Sequence, residues 1–173
     1  MARPIYLIGF MGAGKTEVGK RMAEICGYDV FDMDEQIVRE EGKEITDIFR
    51  EDGEAYFRHK ESEVLRKIAK QDCIITTGGG VILNEENRRF LKGEQTVFLA
   101  CDPAITAVRL EHDTTRPLIQ KKSQADIAEM YEARLPLYKE CAEMIIDTTS
   151  ASIDEVANQI IERMNIATSG YTS

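Results

Sequence analysis

The chain has 173 residues, 43% of them hydrophobic and 31% charged, with 22 basic against 31 acidic side chains and a formal charge of −9. That length is one ordinary domain with a core large enough to need no metal or disulfide staples; the composition is globular, not disordered. The acidic balance excludes the basic surface that nonspecific nucleic-acid binding relies on, and no apolar run approaches the ~18–20 residues of a membrane span.

Apolar runs and helical patterns then alternate along the chain. Ile5 to Ile8 reads as a buried strand, and Val18, Met22, Ile25 and Cys26 mark one face of a helix that Gly27 closes in a left-handed C-cap. Val30 and Phe31 form a short strand leading into Asp32-Met33-Asp34, followed by helical pieces over 35–41 and 46–49. Phe57, Val64, Leu65 and Ile68 give a longer helix its buried stripe. Residues 73–77 form a third strand that ends in Gly78-Gly79-Gly80; 84–91 is helical and 96–100 a fourth strand. A helix follows around Ala104, Ala107 and Val108. Residues 112–123 are polar, lack a period, contain Arg116-Pro117, and read as a mobile lid. Helix resumes over 124–135, and 144–146 is the last strand. Ser152-Ile153-Asp154-Glu155 is a capping box ahead of a face formed by Ile153, Val156, Ile160, Ile161 and Met164. Residues 165–173 are expected to fray. This alternation specifies a parallel sheet wrapped by helices, with binding sites at the carboxyl ends of the strands. Cys26, Cys73, Cys101 and Cys141 form no CxxC pair and only 2 histidines are present, which excludes a structural zinc site and places the thiols, buried, in a reducing cytoplasm.

At the first strand-to-helix junction stands Gly9-Phe10-Met11-Gly12-Ala13-Gly14-Lys15-Thr16, a full match to GxxxxGK[ST]. Glycines let backbone N–H groups converge on phosphate oxygens, and the following helix presents its positive end. Lys15 would reach the β- and γ-phosphates and the Thr16 hydroxyl would ligate Mg²⁺. The DxxG and NKxD elements of guanine-nucleotide switches are absent. A short chain with an arginine-bearing polar loop suits a small-molecule kinase, which must keep water from the γ-phosphate. Asp32 and Asp34, two apart in an extended segment, would face one side and could divide between metal and acceptor hydroxyl; on its own such a pair is more often capping or solvated. Arg58, Arg116 and Arg134, taken singly, are ordinary surface charges. The triple glycine offers unobstructed backbone to a ligand.

In order along the chain, GFMGAGKT, DMD, GEAYFR, TGGG, TRPL and RLPLY resemble the shikimate kinases, from Ile5 to about Met164. The resemblance implies an α/β protein with the three-layer α/β/α P-loop kinase fold: a five-stranded parallel sheet in the order 2-3-1-4-5, a mobile lid, and a single monomeric domain over 1–173. It implies transfer of the ATP γ-phosphate to the 3-hydroxyl of shikimate, giving shikimate 3-phosphate on the way to chorismate, with Mg²⁺ as cofactor. By position, Gly12, Ala13, Gly14, Lys15 and Thr16 serve the nucleotide, Thr16 and Asp32 serve Mg²⁺, and Asp34 holds and activates the acceptor hydroxyl. Arg58 and Arg134 match the pair that binds the shikimate carboxylate, Gly79 with Gly80 the backbone contact to the ring, Arg116 the lid arginine on the transferring phosphate, and Arg109 an arginine against adenine. Glu17 departs from the pattern. The family commonly has a hydroxyl residue there, near the α-phosphate, so a carboxylate must point away or pair with Lys20 or Arg21 one turn on. Two rivals share the phosphate loop: a kinase of the same architecture for another acceptor, such as gluconate, and a non-catalytic nucleotide sensor. Arg58 with Arg134 and the glycine run argue against the first. Asp34 and Arg116, which a binder does not need, argue against the second.

Overall fold

Four consecutive apolar residues without alternation make β1 (Ile5–Ile8) a strand that water can reach on neither face. In the computed structural model, which describes residues 1–111 and 113–169, it sits at the middle of the sheet. The other elements, in chain order, are α1 (Lys15–Cys26), β2 (Asp29–Asp32), α2 (Met33–Glu41), α3 (Ile45–Glu51), α4 (Glu54–Lys67), β3 (Cys73–Thr76), a 3₁₀ turn (Val81–Leu83), α5 (Glu85–Lys92), β4 (Gln95–Ala100), α6 (Pro103–Leu110), α7 (Gln124–Cys141), β5 (Met144–Asp147) and α8 (Ile153–Arg163). β1 pairs in parallel with β3, Ile5 opposite Ile74, and with β4, Ile5 opposite Gln95. β2 and β5 close the edges, also parallel, giving the order β2-β3-β1-β4-β5 that the sequence predicts.

Because side chains alternate along a strand, β1 feeds two cores. Tyr6 and Ile8 join Phe98, Ile127 and Tyr138 on one face, while Ile5 and Leu7 join Val18, Met22, Val156 and Ile160 on the other. Parallel pairing brings every strand's carboxyl end to one edge, where the loops after β1, β2 and β3 meet. None of the described helices is long and apolar enough to cross a membrane.

Several local expectations change. Asp32 ends β2, as expected, but it also caps α2, its carboxylate accepting the Glu35 N–H at 3.1 Å, so Asp32 and Asp34 straddle a strand-to-helix junction and do not share an extended segment. The helix expected over 124–135 continues through Pro136 to Cys141. Its buried stripe of Ile127, Tyr131, Arg134, Tyr138 and Cys141 runs past the proline, and this packing outweighs the lost backbone bond. Ile153, expected in the buried face of α8, is 46% exposed in the first turn. The tail is docked over 165–169: Ile166 packs on the second core and the Ser169 hydroxyl donates to the Ile25 carbonyl at 3.1 Å. Residues 170–173 of the expected frayed end lie outside the described residues. So does His112 of the expected lid. The rest of that segment, 113–123, is a series of turns pinned by the buried side chain of Ile119, a single apolar anchor with no period to betray it.

Candidate active site

The loop between β1 and α1 must reverse from strand to helix in a few residues. Gly12 (φ 77°) and Gly14 (φ 89°) do this in the left-handed region, which side chains disfavour. Gly14 is the N-cap of α1 and supplies no side-chain cap, so the first-turn N–H groups are left for a ligand. Lys15 folds back over the loop, its Nζ donating to the carbonyls of Gly9 (2.6 Å) and Phe10 (2.9 Å). Burial, then the nearby Arg116 cation, pushes Lys15 down to about 7. Phosphate oxygens in the loop would counter both effects and favour the ammonium form.

Asp32 and Thr16 meet at the foot of this loop. The Thr16 hydroxyl donates to Asp32 Oδ2 at 3.1 Å, and the Thr76 hydroxyl donates to the same oxygen at 2.7 Å. Among the described residues no group of three or more His, Cys, Asp or Glu could hold a metal by itself. One carboxylate and one hydroxyl, both hard oxygen donors, instead fit Mg²⁺, which keeps most of its waters and takes its remaining ligands from nucleotide phosphates.

Around the loop opens a cavity of about 360 Å³. Gly12 to Glu17, Asp32 and Arg109 line it. Arg109, on α6, donates to the Gly12 carbonyl at 2.9 Å, which ties the helix to the loop. Glu17 lies exposed in the first turn of α1, and of the two alternatives, pointing away or pairing, pairing with Arg21 is not the one taken. Arg21 is committed to Asp154 (2.6 Å) and Glu24 (3.0 Å) instead.

A second cavity, of about 710 Å³, lies beside the first. Arg58 of α4 enters it with its guanidinium 5.3 Å from the Phe57 ring centre; Arg134 of α7 does the same 5.7 Å from Phe10. Two such forks can grip a planar carboxylate. Gly79 and Gly80 line the same space, and a Cβ on Gly80 would meet the Arg58 guanidinium, so glycine lets the loop after β3 approach without displacing that side chain. Asp34, in the first turn of α2, has a buried Oδ1 without a hydrogen-bond partner. Burial, then Asp32, raises its pKa, against the pull of Arg116, Lys15 and Arg58. A carboxylate oxygen held dry and unpartnered beside a cavity is ready to accept a hydroxyl.

Glu61 belongs to this site and is missed by the motif reading. It is 1% exposed, binds Arg58 through Oε1 at 2.9 Å, and leaves Oε2 buried and unpartnered. Burial pushes it up to about 7. The signal lies in α4 itself, where Phe57, Glu61, Val64 and Leu65 form the buried stripe and one of the four is acidic. The two cavities share Asp34 and Arg116 in their walls. Arg116 is steadied by Asp113, whose Oδ2 accepts from its Nε at 2.9 Å.

Comparison with known proteins follows the same outline. The model of the shikimate kinase family matches residues 11–165, a span that holds most of the phosphate loop, both arginine-bearing helices and the turns around Arg116. A shikimate kinase of Bacillus cereus is 46% identical over 164 residues, which cover 94% of this chain and 99% of that one. One of Enterococcus faecalis is 38% identical over 163 residues, 92% and 97% of the two chains. In three dimensions, a shikimate kinase from Acinetobacter baumannii in complex with shikimate matches with a TM-score of 0.91 at 34% identity, over 95% of this chain and 94% of that one. With the sheet order, the phosphate loop and the near full-length likeness all in agreement, the chain belongs to the shikimate kinase family.

Proposed function

We propose that the protein is a cytoplasmic shikimate kinase that transfers the γ-phosphate of Mg·ATP to the 3-hydroxyl of shikimate, releasing ADP and shikimate 3-phosphate on the route to chorismate. The observation that carries this reading is the shared wall of the two cavities. Asp34, an acceptor for a hydroxyl proton, and Arg116, a cation for a phosphate, stand together where a nucleotide and a small acid would meet. The shikimate-bound relative from Acinetobacter baumannii supports the choice of acid.

In this reading the α1 N-terminus and Lys15 hold the β- and γ-phosphates, and Thr16 with Asp32 holds Mg²⁺, which when bound neutralises phosphate charge. Arg58 and Arg134 grip the shikimate carboxylate and so set the ring's orientation. Asp34 Oδ1 accepts the 3-hydroxyl, directs its oxygen at the γ-phosphorus and takes its proton. The new O–P bond forms as the bond to the β-phosphate oxygen breaks, and ADP carries the electron pair away. Little of this is covalent assistance; alignment and positive charge do most of the work. The test is ADP release from the full chain with Mg·ATP and shikimate, gluconate or no acceptor. Turnover with shikimate alone is expected. Turnover with gluconate, or equal release without acceptor, would overturn the assignment.

A further inference from the structure

Tyr138 stands one turn beyond Arg134 on α7 and is wholly buried. Its ring stacks on Phe98 of β4, centroids 5.0 Å apart at 15°. Its hydroxyl donates to the Gly79 carbonyl, while Arg134 shares its buried stripe on the same helix. A phenol has one proton to give and lone pairs to receive with. Here the proton goes to the glycine run. Burial raises the phenol's pKa strongly, so the donor is kept.

The consequence lies in the peptide between Gly79 and Gly80. It is planar and trans, so a carbonyl pinned towards α7 sets the Gly80 N–H on the opposite edge of the plane. The flanking carbonyls bond only within their own turn, Gly78 to the Val81 N–H (3.2 Å) and Gly80 to the Leu83 N–H (3.1 Å). Three glycines in a row have wide conformational freedom and no side chains with which to resist it. Among the described residues, the Tyr138 hydroxyl makes the one hydrogen bond from this run to the helix that carries Arg134.

We propose that Tyr138 is a positioning residue for the acceptor: its hydroxyl holds the glycine run in register with α7, the helix that carries Arg134, so that a backbone donor and a cation reach the same shikimate molecule. The inference rests on the reading that Gly79, Gly80 and Arg134 hold shikimate. Tyr138→Phe removes the hydroxyl and keeps the ring. Its KM for shikimate should rise about five- to twentyfold while the KM for ATP stays within about twofold. Combined with Arg134→Lys the losses should be less than multiplicative, because both break one register. An unchanged shikimate KM, or equal losses for both substrates, would overturn the proposal. Phe98→Leu loosens the same ring but keeps the hydroxyl, and should lower the melting temperature with shikimate KM within about twofold. If it reproduces the Tyr138→Phe kinetics, ring packing is the cause and the proposal fails. Arg134→Ala separates the two levels. If it leaves shikimate KM unchanged, the assignment of the acceptor site fails; if it raises KM and Tyr138→Phe does not, only the role of Tyr138 fails.

Discussion

In the proposed mechanism Asp34 serves as a base beside three cations and another carboxylate, and the balance of its surroundings favours the proton: burial and Asp32 raise its pKa against Arg116, Lys15 and Arg58. An amide of the same size would still touch the acceptor hydroxyl but is a far poorer proton acceptor. Asp34→Asn is therefore expected to keep the fold and Mg·nucleotide binding and to lose at least about tenfold in kcat, since general-base help is typically worth ~10²–10⁴ and orientation supplies part of the effect. Steady-state kinetics beside a nucleotide titration checks this; a near-normal kcat would take Asp34 out of the mechanism. Arg58→Ala and Arg134→Ala should each weaken shikimate binding by about 1.5–3 kcal/mol with nucleotide affinity almost unmoved, because each removes a charge-assisted partner of the acceptor alone. Equal loss of both ligands in a binding titration would make the arginines structural. Asp34 is legible because it follows a strand end, and Arg58 and Arg134 because each lies in a short motif on a helix. Glu61 is not. A buried acid in an apolar stripe acts through Arg58, and no spacing rule names it.

The elements that carry the site differ in how openly the chain announces them. The phosphate loop is written in consecutive residues, and its backbone geometry follows from glycine chemistry alone. The Asp32–Asp34 pair was found for the wrong reason: strand alternation would place both on one face, whereas a side-chain cap starts α2 at Met33 and puts Asp34 one step into a helix. That capping bond is a competition between Asp32 and the backbone that no period reveals. Residues 112–123 read as a mobile lid from polarity; within 113–123, Ile119 and the Asp113–Arg116 pair give the turns fixed points that sequence polarity hides. Arg116 lines both cavities from this segment. In the proposed mechanism its contact with the phosphate in transfer grows as charge develops there, so Arg116→Ala should lower kcat by more than it raises the shikimate KM. A variant with normal kcat and a raised KM would place Arg116 in ground-state binding only.

At the scale of the whole molecule, strand–helix alternation with apolar runs sufficed to predict a parallel sheet. Its order needed the family likeness, because nothing in β1 or β4 alone says which neighbour each will take. What the sequence conceals is the cost of the site to the fold. α4 buries Glu61 where an apolar side chain would pack, and its titration couples the cavity to global stability. Glu61 has an ordinary value of 4.5 and is pushed up to about 7 in the fold, chiefly by burial. Arg58 on its own helix and Arg134 from α7 oppose the rise, and Asp34 from α2 adds to it. Between those two values the folded chain holds a proton that the unfolded chain has released. The stability this group contributes is therefore fully present below about pH 4.5 and is lost as pH rises through about 7. Glu61→Gln cannot titrate, so its melting temperature should lack this component, while the carboxylates remote from the cavity remain in both proteins and cancel. Calorimetric melting of the two ligand-free chains from about pH 5 to about pH 8 is then expected to show wild type falling relative to Glu61→Gln across that range. Parallel curves would mean that Glu61 stays ionised throughout, held by Arg58, and that the site carries no such cost.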